Sequence, residues 1–263
     1  MTTRQQAQHW LQSEKPALII EVLEANGSTP REPGTRMLVS PDATTGTIGG
    51  GHLEWQAIRT ARTALRTGTL PQDQRIALGP TLGQCCGGAL TLRYTPLDDE
   101  ALAAWPQQQP LFHLQLHGAG HVGRAIVQLL HALPCSVSWI DERDDEFPRD
   151  ASPPHIERLC IDAPEAEVAE APPGSFFLVL THQHDLDLRI VQAVLQRNDF
   201  GFLGLIGSAT KKARFEHRLR DRGISEQALA RMTCPIGVPG IAGKAPEVVA
   251  IAVVAQLLQQ STR

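Results

Sequence analysis

The sequence predicts an α/β protein in which a C-terminal Rossmann-like parallel sheet, with helices on both faces, follows a smaller N-terminal α/β domain. Three observations carry that expectation. An apolar strand pattern at 111–116 and short uninterrupted apolar runs at 176–180 and 202–206 alternate with helical patterns, the uninterrupted runs being those of parallel strands covered on both sides. The turn Gly118-Ala119-Gly120-His121-Val122-Gly123 follows the first of these runs and opens a helix. Asp141 then ends the next strand, where an acid that reads a ribose is expected.

Size and composition agree with this division. At roughly 150 residues per domain, 263 residues suggest two domains. A formal charge of -4 makes wholesale attraction to nucleic acid or anionic lipid a poor expectation. No apolar run reaches the roughly 20 residues that cross a bilayer, and the polar first twelve positions lack a signal-peptide core, so a cytoplasmic protein off the membrane is expected. The odd count of 5 cysteines points to reduced thiols rather than a disulfide framework.

The N-terminal domain is expected over 1–95. Its pattern suggests a short helix at 4–13, strands at 17–23, 35–40, 45–48 and 89–94, and an amphipathic helix at 52–66. In that helix Leu53, Ala57, Ile58, Ala61 and Leu65 form an apolar stripe opposite Arg59, Arg62 and Arg66. Prolines, acids and three consecutive glutamines mark 96–110 as a linker with room for one helical turn. The Rossmann-like domain is expected over 111–263. A helix should run from the glycine turn through Leu133, a strand should cover 136–140, and the last helix should start at Pro246.

Within G-x-G-x-x-G, Gly118 permits the tight turn, Gly120 lets a ligand approach the backbone, and Gly123 allows close helix packing, with His121 at the helix start. Phosphate would meet the free N–H groups of that helix end. In the first domain, Gly27-Ser28-Thr29-Pro30-Arg31 and Gly49-Gly50-Gly51-His52 are either tight turns or an amide-lined anion nest. Gly83-Gln84-Cys85-Cys86-Gly87-Gly88 sets a cysteine doublet in a glycine frame that leaves room beside a thiolate, although a free cysteine is commonly an inert buried hydrophobe. Adjacent cysteines do not form a zinc knuckle, and Cys135, Cys160 and Cys234 stand alone. His182-Gln183-His184-Asp185 follows a strand and suits ligand hydrogen bonding or acid/base work. The bland alternative is a helix cap, and a metal site of His182, His184 and Asp187 is the third reading. Ser208, Lys211 and Lys212 follow another strand and either neutralise a phosphate or simply start a solvated basic helix.

These blocks, in this order, resemble the XdhC/CoxI family of xanthine dehydrogenase accessory proteins. The segments that carry the likeness are G-S-T-P-R-x-x-G, G-G-G-H, G-Q-C-C-G-G, the glycine turn, T-H-x-H-D, G-x-I-G-S-x-x-K and the C-P-I-G loop at Cys234. The resemblance implies a cytoplasmic carrier that binds the molybdenum cofactor, as molybdopterin or a dinucleotide form. It further implies sulfuration of that cofactor by a NifS-type cysteine desulfurase, delivery to a molybdenum-hydroxylase apoenzyme of xanthine dehydrogenase type, and a homodimer. The implied cofactor contacts are Gln84, Cys85, Cys86, Gly87, Gly118, Gly120, His121, Gly123, Asp141, His182, Ser208, Lys211 and Lys212, with Cys85 and Cys86 as candidate molybdenum ligands.

Two other classes remain open on the residues. A nicotinamide-dependent oxidoreductase would use the glycine turn and Asp141, yet the single tyrosine, Tyr94, has Asp98 four positions on and cannot supply a Tyr-x-x-x-Lys pair. A nucleotide-sensing module would use the same fingerprint and leave the cysteine doublet dispensable.

Overall fold

The structure is a computed structural model that describes residues 3–78, 87–106 and 109–262. Two compact units divide the chain, Met1–Gln107 and Gln108–Arg263.

The first unit contains α1 (Thr3–Gln12), β1 (Leu18–Asn26), β2 (Arg36–Val39), β3 (Thr44–Thr45), α2 (Gly51–Thr67), β4 (Gln74–Ala77), β5 (Ala89–Pro96) and α3 (Asp99–Ala103). Its strands form an antiparallel sheet in the order β3-β2-β1-β5-β4. Alternation along β1 sends side chains to opposite faces. Leu18, Ile20 and Val22 pack with Leu53, Ala57, Ala61 and Ala64 of α2, whereas Ile19 joins Leu38, Ala7, Trp10 and Trp105.

One expectation for this region needs correction. The strand expected over 45–48 stops at Thr45, because Gly46 turns with φ +84° and the amides of Ile48 and Gly50 are taken by the Glu54 carboxylate. The stretch expected as a linker with room for one helical turn holds α3, capped by Asp98 accepting from the Ala101 N–H at 2.8 Å, and the buried ring of Trp105.

The second unit follows the Rossmann expectation. Its elements are β6 (His113–His117), α4 (His121–Leu130), β7 (Ser136–Asp141), β8 (Ile156–Cys160), β9 (Phe176–Val179), α5 (His184–Arg197), β10 (Phe202–Leu205), α6 (Ala209–Asp221), α7 (Glu226–Leu229), β11 (Met232–Thr233) and α8 (Pro246–Ser261). All six strands are parallel, in the order β11-β10-β9-β6-β7-β8. The continuous apolar strands serve both faces: Phe176 and Leu178 pack with α4 and α8, while Phe177 and Val179 pack with α5 and α6. The polar strands β4, β8 and the very short β11 lie at sheet edges, where no apolar run announces them. Among the described residues no helix is long and apolar enough to cross a membrane.

Candidate functional site

In the second unit the chain winds from β6 toward β8 on one side and from β9 toward β11 on the other, so the switch point lies between β6 and β9. Open sheets of this kind bind ligands just beyond the carboxyl ends of the strands at that point. The glycine turn sits there. Gly118 has φ +129°, and a Cβ on it would run into the Leu180 carbonyl. A Cβ on Gly123 would run into the Gly118 carbonyl, which explains why α4 packs so closely on β6. Gly120 is different: among the described residues a Cβ there meets nothing within 4 Å, and no side chain caps the helix that it begins. The start of α4, with His121 exposed beside it, is therefore open to an anion.

Asp141, the expected ribose reader, is engaged by its own chain. Its Oδ1 accepts from the Arg143 N–H and Nε, both at 3.0 Å. Its Oδ2 accepts from the Ala119 N–H at 2.7 Å and from Arg143 Nη2 at 3.0 Å. Burial tends to raise the Asp141 pKa, but the Arg143 and Ala119 hydrogen bonds and the guanidinium charge outweigh it and hold the carboxyl below its usual range. Arg143 is itself tethered to Glu146 at 3.0 Å, and Glu146 also meets Arg124 of α4 at 3.3 Å.

The loops after β7 and β9 meet. His182 Nε2 lies 3.4 Å from the Glu142 carboxylate, and the Gln183 side-chain amide donates to Glu142 at 3.3 Å. Because β6 lies between β7 and β9, this cluster arches across the end of β6, spanning about two strand spacings of roughly 4.8 Å. One loop further on, the buried carboxylate of Asp187 accepts from the Thr181 N–H at 3.0 Å and hydroxyl at 2.7 Å, and pairs with Lys211 Nζ at 2.6 Å. Lys211 also donates to the Ile206 carbonyl at 2.9 Å.

This geometry sorts the expected contacts. Lys211 ties the β9 and β10 loops together and is turned into the protein, so it is not a free cation for a phosphate. Lys212 stays nearer the surface, 3.7 Å from Glu216, and Ser208 caps α6 by accepting from the Lys211 N–H at 3.3 Å. The metal reading fails as drawn: Asp187 is committed to Thr181 and Lys211, and His184 Nδ1 faces Arg214 at 2.9 Å. Among the described residues no group of three or more His, Cys, Asp or Glu could hold a metal. His117, which directly precedes the glycine turn, is fully buried with neither ring nitrogen partnered among the described residues, and burial pushes its pKa down to about 3.

In the first unit three motif segments converge. A Cβ on Gly88 would meet the carbonyls of Asn26 and Ser28 at 2.5 and 2.6 Å, so Gly27-Ser28 and Gly87-Gly88 lie against each other. Gly49 packs on the ring of Pro30, with no room for a Cβ between them. The amide nest expected before α2 is filled from within: Glu54 accepts from Thr47 Oγ1 at 2.5 Å, the Ile48 N–H at 3.2 Å and the Gly50 N–H at 3.1 Å. Gly87 is exposed, and a Cβ on it would meet nothing within 4 Å among the described residues. Gln84, Cys85 and Cys86 lie outside the described residues.

Sequence reasoning passed over Glu142, Arg143 and His117. An arginine two positions beyond a strand-ending acid was the available signal for Arg143; nothing local pointed to the partner of Glu142, which comes from a loop forty residues further on.

A Rossmann unit whose glycine turn leaves a helix start open, and a glycine-rich antiparallel unit, define a two-unit α/β protein. Residues 114–257 match the family described as the XdhC Rossmann domain, and residues 10–72 match the XdhC and CoxI family. The chain belongs to the XdhC and CoxI family. It is similar to the protein YqeB of Escherichia coli (strain K12), at 31% identity over 253 residues that make up 93% of this chain and 43% of that protein. The chain thus spans less than half of that relative. A crystal structure described as a xanthine dehydrogenase from Bacillus halodurans has the same fold, with a TM-score of 0.79 at 19% identity, covering 99% of this chain and 96% of that one.

Proposed function

We propose that this protein is a molybdenum cofactor chaperone of the cytoplasm: it holds molybdopterin as cargo, supports its sulfuration by a NifS-type cysteine desulfurase, and hands it to an apoenzyme of xanthine dehydrogenase type. Membership of the XdhC and CoxI family supports a role in xanthine dehydrogenase maturation, and the match in both units is the observation that carries the reading. The residues fit such cargo at one end. Gly120 leaves the uncapped start of α4 open, which suits the terminal phosphate of a pterin cofactor. The soft sulfur and metal end is assigned to Cys85 and Cys86, which directly precede Gly87-Gly88 in the sequence. A homodimer belongs to the same reading.

Molybdenum and oxidised pterin should copurify with the protein, near one equivalent per chain, when it is isolated without oxygen from a host that makes the cofactor. Stoichiometric NAD(P) with no pterin, and no uptake of added cofactor, would overturn the proposal. Cys85→Ser and Cys86→Ser should each lower cofactor retention or sulfuration; normal transfer by both variants would make the doublet structural.

A further inference from the structure

We infer that Arg143 is a specificity lock: it closes the ribose subsite of the Rossmann unit, so that the glycine turn accepts a phosphate-bearing ligand but not a nicotinamide dinucleotide. The inference rests on reading the glycine turn as a phosphate subsite. It goes further in naming which ligands are turned away and by which residue.

In a dinucleotide-binding Rossmann crevice, the acid at the end of the second strand of the unit accepts hydrogen bonds from ribose hydroxyls. A carboxylate offers about four lone-pair positions. At Asp141 four N–H donors already reach the two oxygens, three of them from Arg143 and one from Ala119. The side chain is only 3% exposed, so a hydroxyl has neither a lone pair nor a path to it. Nor is the lock a loose surface arginine. While Nε and Nη2 grip Asp141, Nη1 is held by Glu146, and Glu146 is anchored in turn to Arg124 of α4. Opening the subsite would leave the buried acid without its main charge partner. Gly120, the residue after Ala119 in the turn, carries no such obstruction among the described residues. The crevice therefore keeps its phosphate half and has closed its nucleoside half.

Calorimetric titration of the full chain with NAD+ and NADP+ tests this. The wild-type protein should bind neither with a Kd tighter than about 1 mM. Arg143→Ala removes the two guanidinium donors from the Asp141 carboxylate, leaving the backbone N–H groups of residues 143 and 119, and should tighten NAD+ binding at least about tenfold, as expected for a regained hydrogen bond to a charged group. Adding Asp141→Asn to that variant should abolish the gain. Saturable NAD+ binding by wild type that Asp141→Asn weakens would overturn the lock. So would a wild-type preference for NADP+ that Arg143→Ala removes, since Arg143 would then read a 2′-phosphate. A folded Arg143→Ala with no gain would also overturn it, and Arg143→Lys, which keeps a cation but loses the fork, replaces it if the alanine variant does not fold. Pterin content of the same wild-type preparation separates this idea from the chaperone reading: protein that excludes NAD+ yet carries no pterin and takes up none counts against the chaperone alone.

Discussion

Asp141 and Glu54 sit where an external anion or ribose was expected to meet this chain, and each is already bonded to the protein's own amides. Glu54 fills a nest of Ile48 and Gly50 N–H groups, and Asp141 joins the Ala119 amide to Arg143. Both keep buried donors satisfied, which matters because an unpaired buried polar group costs about 1–3 kcal/mol. His117 is the contrary case, an imidazole buried without a partner among the described residues and held neutral, with its pKa near 3. Its unfolded counterpart takes a proton near pH 6.5, so between those values the unfolded chain binds more protons and stability falls as pH is lowered, by up to about 1.4 kcal/mol per pH unit. The depressed Asp141 carboxyl adds to acid loss only below about pH 4, which keeps the two effects apart. In urea melts, His117→Leu should be at least as stable as wild type near neutrality and should lose one proton's worth of the slope between about pH 6.5 and pH 4. An unchanged slope would mean that the imidazole protonates in the folded protein.

The βα turns of the second unit separate structural from ligand-facing positions at the level of elements. Gly118 and Gly123 are required by packing against Leu180 and against the turn itself, whereas Gly120 faces open space with φ −66°. Gly123→Ala should therefore cost about 1–3 kcal/mol by overpacking. Gly120→Ala should leave the thermal midpoint unchanged while weakening cofactor retention. If both alanines merely destabilised the protein, the turn would have no ligand role. The Asp187–Lys211 pair joins the start of α5 to the start of α6 with almost no solvent exposure on the acid. Lys211→Met leaves that carboxylate buried and uncompensated, and should lower stability by about 3–5 kcal/mol in chemical denaturation. A loss under about 1 kcal/mol would instead mark a surface-like pair.

The molecule as a whole contains two units, each with its own buried clusters. Leu114, Leu116, Trp139 and Leu178 pack with α4 and α8 in the second, and Ile20, Val22, Leu53 and Ala57 form the centre of the first. A fragment of residues 109–263 should accordingly fold alone and unfold in one cooperative transition by circular dichroism and calorimetry. Noncooperative melting would show that this core needs the first unit. Much of this architecture was legible in the chain, because periodicity reports burial. The apolar runs at 176–180 and 202–206 became β9 and β10, and the amphipathic pattern of 52–66 became α2. Edge strands β4 and β8 were not legible, since a strand exposed on one side and polar in sequence leaves no apolar run to read.

By itself the sequence determined the fold class, the three separate tasks of the glycine turn and the family, because each is written in residues close together along the chain. Only the tertiary structure decided which polar groups remain free to meet a ligand. Lys211 and Asp141 look available in sequence, yet one is consumed by Asp187 across 24 positions and the other by Arg143 and an amide 22 positions back. The convergence of Gly27-Ser28, Gly49 and Gly87-Gly88 is of the same kind. Hydrogen-bond capacity is finite and satisfied in three dimensions, so local pattern can nominate a binding residue but cannot show whether its donors or acceptors are already spent.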